Sequence, residues 1–263
     1  MNILVCIKQV PDMEARFIPN ADGTWFAETG LAFRMNDYDL YAVEAAVRLK
    51  EQLCGAPEVT VLSIGPDRAV EVIRKALALG CDRGVHIRDP YVTERDPWQI
   101  ASMIAGYGRS RNFELIFTGM QSQDRGSAQV GVLVAEQLGI ACVTTIVGFS
   151  WHNGTVTAER ELEGGTRGVV RLKSPALLTC QLGLNTPRYP TLPNIMKSKK
   201  KEITSLLSDA TALPGRLSSV TGFIHPERNG SGLVLQGEVS ELADRVIAVL
   251  KEKTTLLSRG GKR

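Results

Sequence analysis

The sequence predicts an α/β protein: a parallel sheet with helices on both faces, carrying an antiparallel hairpin ribbon and an extended C-terminal arm. Three observations predict it. Short apolar runs alternate at short intervals with amphipathic stretches stopped by glycine, which requires right-handed crossovers and a parallel sheet. Two hairpin signals, Asn153-Gly154 and Gly164-Gly165, follow in a stretch of alternating apolar and polar residues. Beyond them the pattern ends in a proline-rich basic segment, a polar tract and one last helix.

Each element has its own reason. "NILVCI" (Asn2 to Ile7) is apolar on both faces, as a strand buried inside a parallel sheet must be. "PNADGT" (Pro19 to Thr24) is the turn of a hairpin excursion. In "MNDYDLYAVEAAVRLKEQL", Asn36 reads as an N-cap, Asp37 and Asp39 favour the positive helix end, and Leu40, Val43 and Val47 form one apolar face. "EVTVLSIG" (Glu58 to Gly65) is the second strand, and "AVEVIRKALALG" is a helix stopped by Gly80. "GVHI" is a strand, "WQIASMIAGYG" a helix, and "ELIFTG" (Glu114 to Gly119) the fourth strand. "SAQVGVLVAEQLG" is a helix ended at Gly139. From Thr144 to Gln181 the chain reads as the antiparallel ribbon. A terminal helix spans Val239 to Leu250, with Leu242, Val246 and Val249 on one face.

Composition bounds the function. The 263 residues carry 31 basic and 28 acidic side chains, a net charge of +3, too balanced for nucleic acid to be the main partner. The five cysteines are scattered and never spaced C-x-x-C, so they read as buried free thiols of a reducing, cytoplasmic compartment. No apolar run approaches the roughly 20 residues that span a bilayer, which predicts no membrane insertion. His86 reads as a satisfied sheet residue, His152 flanks a turn, and His225 precedes Pro226. None pairs with a nucleophile by a familiar spacing, and no cluster suggests a metal. The pattern favours binding over catalysis, and no catalytic residue is expected.

In an open α/β sheet, ligands settle outside the carboxyl ends of the strands. Three such ends stand out: Ile7 to Val10, Ile64 to Pro66, and "TGMQSQDRGSAQVG" from Thr118 to Gly131. The last is long and rich in small residues that let backbone amides approach an anion. Taken alone it is either a nucleotide cradle or a well-capped loop. Asp124 binds a ribose or caps a turn, and Asn36 is a ligand contact or a plain N-cap.

The segment "NTPRYPTLPNIMKSKKKEI", 185–203, adds a second theme. Its prolines at 187, 190 and 193 restrict the backbone before binding. Leu192 is placed as an apolar anchor for a partner's pocket. Lys197, Lys199, Lys200 and Lys201 are placed to steer an acidic partner.

"PRYPTLPNIMKSKKK", together with "MNDYDLYAVEAAVRLKE", "ALALGCDRGVHI" and the 118–131 loop, resembles the β subunit of electron-transfer flavoproteins over nearly the whole length. The resemblance implies an adenine-nucleotide-binding α/β domain over 1–184, a partner-recognition loop over 185–203, and a C-terminal arm and helix over 204–263 that pack on an α subunit carrying FAD. It places nucleotide contacts on Cys6 and Lys8, on Asn36, Asp37, Tyr38 and Asp39, and on Ile64. It adds Gly119, Gln121, Ser122, Gln123, Asp124 and Arg125, and then Gly126, Ser127, Ala128, Gln129 and Val130. Docking falls on Tyr189, Leu192, Pro193, Ile195, Met196 and Lys197. The implied partners are the α subunit, an acyl-CoA dehydrogenase-type flavoenzyme of fatty acid oxidation, and a membrane quinone-linked oxidoreductase. "KQVPD" (Lys8 to Asp12) and "AQVG" (Ala128 to Gly131) lean toward flavin-bifurcating members that oxidise NADH. Gly126 and Ser127 lack the acid and threonine those members carry. AMP and a second FAD both stay open as this subunit's guest.

Overall fold

A computed structural model describes residues 1–54, 56–208, 213–224 and 232–254; His225 lies outside the described residues. The chain divides into two units, Met1–Phe223 and Ile224–Arg263.

In the first unit β1 (Asn2–Ile7) leads into a two-stranded antiparallel pair, β2 (Gln9–Pro11) with β3 (Phe33–Met35). The excursion between them closes through the Pro19–Phe26 bridge, with Gly23 at φ +68 in its turn, as the sequence predicts. Then come α1 (Asp37–Gln52), β4 (Glu58–Gly65), α2 (Val70–Leu79), β5 (Arg83–Arg88), α3 (Pro97–Gly108), β6 (Leu115–Gly119) and α4 (Val130–Leu138). The remaining elements are β7 (Ala141–His152), β8 (Thr155–Glu161), β9 (Arg167–Lys173), β10 (Ala176–Cys180), α5 (Leu192–Ser198) and β11 (Ile203–Leu207). The second unit contains α6 (Val239–Lys253), which buries no residue fully and leaves Val246, Ile247 and Leu250 exposed.

The strands form a nine-stranded sheet in the order β11-β5-β4-β1-β6-β10-β7-β8-β9. All neighbours pair in parallel except β7 with β8 and β8 with β9. Alternation along β1 divides the core. Ile3, Val5 and Ile7 pack with Ala42, Val43 and Ile73 on the α1/α2 side. Leu4 and Cys6 pack with Ala101, Ile104 and Val134 on the α3/α4 side.

Two elements correct the sequence reading. β10 is no ribbon strand: it inserts in parallel between β6 and β7, with Ala176 opposite both Leu115 and Ala141. All five of its residues are buried, whereas β9 alternates exposed and half-buried; a continuous apolar run belongs inside a parallel sheet. β11 extends the opposite edge beside β5, from a stretch expected to be loop and arm. The ribbon proper is β7-β8-β9, and Asn153 and Gly154 take φ +47 and +78 at its first turn. Positive φ at both positions is what a tight hairpin turn of matching twist requires.

Among the five free cysteines, Cys6, Cys81 and Cys180 are buried and Cys142 is half-buried. Cys54 is exposed, against the expectation of a buried thiol, because it sits just past the end of α1.

Candidate functional site

A cleft opens at the carboxyl ends of β1, β4 and β6. Leu62, Ile64, Ile100 and Ile104 form apolar walls, and Cys6 lies at the tip of β1 between them. Burial pushes the Cys6 thiol far above its ordinary range, so it stays neutral. Gly119 and Gly131 also line the cleft and admit no side chain. A Cβ on Gly119 would strike the Asp39 carboxylate and lie 2.7 Å from the Tyr38 Cβ, and one on Gly131 would lie 2.8 Å from Thr118 Oγ1.

The long loop after β6 forms the polar rim. Gly126 adopts φ +61 and Ala128 φ +53. The second is an uncommon conformation for a residue with a Cβ, and such strain tends to collect at ligand-holding loops. Among the described residues, nothing accepts from the main-chain N–H groups of Ser127, Ala128, Gln129 and Val130, which stand at the start of α4. Unpartnered N–H groups at a helix N-terminus, beside left-handed residues, are the kind of donors that hold a phosphate.

The predicted residues fall into two groups. Cys6, Lys8, Asn36, Asp39, Ile64, Gly119, Gln121, Ser122, Arg125, Ser127, Ala128, Gln129 and Val130 line the cleft. Asp37, Tyr38, Gln123, Asp124 and Gly126 shape it from behind. Asn36 occupies the N-cap position but makes no capping bond. Its Nδ2 donates to the Gln121 carbonyl at 2.9 Å and its Oδ1 accepts from the Gln123 N–H at 3.0 Å. The plain N-cap reading is therefore corrected: the loop competes for the side chain and wins both of its polar atoms. Gln123 Nε2 donates to Asp37 at 3.0 Å, and Gln121 Nε2 donates to the Tyr38 hydroxyl at 3.2 Å. Asp124, nearly buried, holds the Lys8 ammonium at 2.7 Å.

Asp39 is buried and accepts the Lys8 N–H at 2.7 Å and the Gly119 N–H at 3.1 Å, tying the tips of β1 and β6 to α1. Burial pushes its carboxyl up to about 7, against the pull of those N–H donors and the Lys8 charge. A carboxyl near 3.9 when unfolded and about 7 when folded binds its proton more tightly in the native state. That contribution is complete below about pH 4 and is lost as pH rises toward 7, on the order of 4 kcal/mol in all. Denaturant unfolding of the wild type at pH 5 and pH 8 should show this loss, and Asp39→Asn should abolish most of the difference.

Sequence reasoning missed the loop after β5, which supplies Val92, Arg95 and Pro97 to the cleft. The strand-tip rule, applied to "GVHI" as it was to its neighbours, points there. Arg95 is held by the fully buried Asp89 at 2.8 Å.

A second region lies on the outer side of α1. Tyr189 (92% exposed), Leu192 (78%) and Met196 (61%) project into solvent, with Ile195 less so at 37%. The segment is part helix: Thr191 caps α5 by accepting from the Asn194 N–H, with Pro193 in the first turn. It is stapled to the body. Arg188 reaches Glu44 at 2.8 Å and Glu51 at 2.6 Å, Asn185 donates to the Tyr41 carbonyl, and Arg48 donates to the Thr186 carbonyl. Arg74 binds the Ser198 and Lys201 carbonyls at 2.7 and 2.6 Å. Lys197, Lys199 and Lys200 are exposed. Lys201 is not the steering charge the sequence suggested, because its ammonium donates to the Leu77 and Cys81 carbonyls at the end of α2. Helix C-termini leave carbonyls that attract a cation.

Fold and site define the class: a doubly wound α/β protein with a ligand cleft at its strand tips and a separate braced surface. The electron transfer flavoprotein domain matches residues 23–211. The chain is 34% identical over 264 residues to the electron transfer flavoprotein subunit beta of Bacillus subtilis (strain 168), covering 98% of this chain and 100% of that protein. It is 35% identical over 256 residues to the subunit of the same name from Homo sapiens, covering 96% and 97%. The corresponding figures for Methylophilus methylotrophus are 31% over 261 residues, 96% and 98%. The chain belongs to the electron transfer flavoprotein family, as a β subunit. Among the described residues no helix is long and apolar enough to cross a membrane, and no group of three or more His, Cys, Asp or Glu is placed to hold a metal.

Proposed function

We propose that this chain is the docking and nucleotide-holding half of a heterodimer that passes electrons from an acyl-CoA dehydrogenase-type flavoenzyme to a downstream, quinone-linked acceptor. Residues 1–184 hold an adenine nucleotide, 185–203 dock the donor, and 204–263 pack on an α subunit. FAD, carried mainly by the α subunit, supplies the reversible electron storage when bound. This chain's residues bind and orient. The apolar walls suit an adenine ring, and the free N–H groups of Ser127 to Val130, with Lys8 lining the same cleft, suit its phosphate. Neutral Cys6 adds apolar surface without reacting.

The observation that carries this reading is the braced apolar patch of Tyr189, Leu192 and Met196, which its own domain leaves uncovered. Unpaired apolar anchors on a pre-ordered segment are what a transient protein interface needs. The exposed apolar residues of α6 fit the same heterodimer.

Co-expression with its α subunit, acid extraction and chromatography test the reading. The expected result is one FAD and one AMP per heterodimer, with the flavin reduced by a dehydrogenase and its acyl-CoA. A heterodimer without any adenine compound beyond the α-subunit flavin overturns the nucleotide assignment. Two FAD and NADH oxidation instead establish the bifurcating alternative.

A further inference from the structure

A second chamber, more polar, adjoins the cleft; it lies between the 20–28 excursion, the loop after β5 and residues 216–220. Four residues line both spaces: Val92, Arg95, Pro97 and Arg125. Val92 and Pro97 are fixed by the backbone that carries them. Arg95 is fixed by its pairing with buried Asp89, at 2.8 Å. Arg125 differs in kind. Its guanidinium lies 4.4 Å over the ring of Trp25 and donates to the Thr93 carbonyl, so it bridges from the loop after β6 to both walls of the chamber. These holds are reversible, and they are all on the chamber side. Trp25 itself lines the chamber and not the cleft.

We infer that Arg125 is a latch that sets the size of the guest: docked on Trp25 and Thr93, it closes the passage and admits a nucleoside monophosphate, while a dinucleotide requires it to swing away. The inference rests on the proposed nucleotide cleft and names what selects within it. A planar guanidinium is suited to this task, because it stacks on an indole and donates in the same pose, which an ammonium cannot do.

The test uses the heterodimer stripped of its cleft nucleotide, with AMP and FAD as probes and the ratio of their dissociation constants as readout. Wild type should prefer AMP by at least tenfold. Arg125→Gly should reduce that preference at least tenfold, about 1.4 kcal/mol, through tighter binding of FAD. Flavin content should then rise from one toward two per heterodimer. Arg125→Lys should move the same way despite keeping the charge. Trp25→Ala should do so too, although its side chain does not line the cleft. An Arg125→Gly variant that loses AMP affinity without gaining FAD, or a lysine variant that behaves as wild type, marks Arg125 as a plain phosphate cation and overturns the latch. A wild-type heterodimer that already holds FAD in the cleft overturns it as well, yet leaves the nucleotide reading standing. A cleft that binds neither probe removes both.

Discussion

Leu192→Ala should lower kcat/KM for reduction by the proposed donor flavoenzyme roughly thirtyfold, while nucleotide content and melting temperature should stay at wild-type values. The side chain is 78% exposed at the first position of α5, so its loss costs the free protein little; exposed substitutions usually fall within about 0.5 kcal/mol. At an interface the same leucine would sit in a partner's pocket, where truncation of an anchor costs about 2 kcal/mol or more. The separation of the two readouts is the point. A leucine packed against its own domain would lower the melting temperature and leave kcat/KM nearly unchanged. Steady-state reduction at two or more salt concentrations checks the result, and the lysines around the patch should make the rate fall as salt rises. Unchanged kinetics would sink the docking assignment.

Arg188→Ala should damage both stability and docking. Arg188 makes five hydrogen bonds to the carboxylates of Glu44 and Glu51, with Glu44 almost fully buried. Burial works against ionisation of Glu44, but hydrogen bonds from Arg188 and Arg48 outweigh it and hold the carboxyl below its ordinary range. Removing one partner of such a pair leaves a buried charge half compensated, which costs about 3–5 kcal/mol for a fully buried pair and less here, since Arg188 is one-third exposed. A loss of about 2 kcal/mol by denaturant titration is expected. A fall in kcat/KM comparable to that of Leu192→Ala should accompany it, because the anchor's segment is no longer held. Bound nucleotide should be unaffected. The folded carboxyl lies below its unfolded value, so the staple's contribution is complete above that unfolded value and is lost as pH falls below it through the lower folded one. Arg188→Lys should recover part of the stability, since one ammonium cannot bridge two carboxylates in a fork. A variant with wild-type stability and kinetics would show that the staple holds nothing.

These predictions mark what the sequence discloses and what it withholds. The alternation of apolar runs and glycine stops discloses the parallel sheet, because buried strands and capped helices leave local traces in composition. The insertion of β10 between β6 and β7 leaves no such trace, since strand order is decided by packing between segments far apart in the chain. "ALLTC" signals burial, but it does not signal which neighbours bury it. The loop that rims the cleft was legible from its small residues, and the outward setting of Leu192 from the prolines that flank it. Arg188 was not, because its partners Glu44 and Glu51 lie on α1, and nothing in "PRYP" names them. Lys201 misled for a related reason: a lysine run reads as uniform charge, and only the fold shows that its last member caps a helix. Asn36 was placed at the correct helix end and given the wrong partner. A loop some 85 residues away outbid the backbone beside it.

The helix α1 has attachments along its length. Asn36 and Asp37 join it to the loop that rims the cleft, and Tyr41, Glu44, Arg48 and Glu51 hold the segment that carries Leu192. Its 16 residues make a rod about 24 Å long. On the proposed function, a nucleotide in the cleft and a docked enzyme bear on opposite ends of one stiff strut. On the function proposed above, an adenosine phosphate in the cleft has a structural duty in electron transfer without itself carrying an electron.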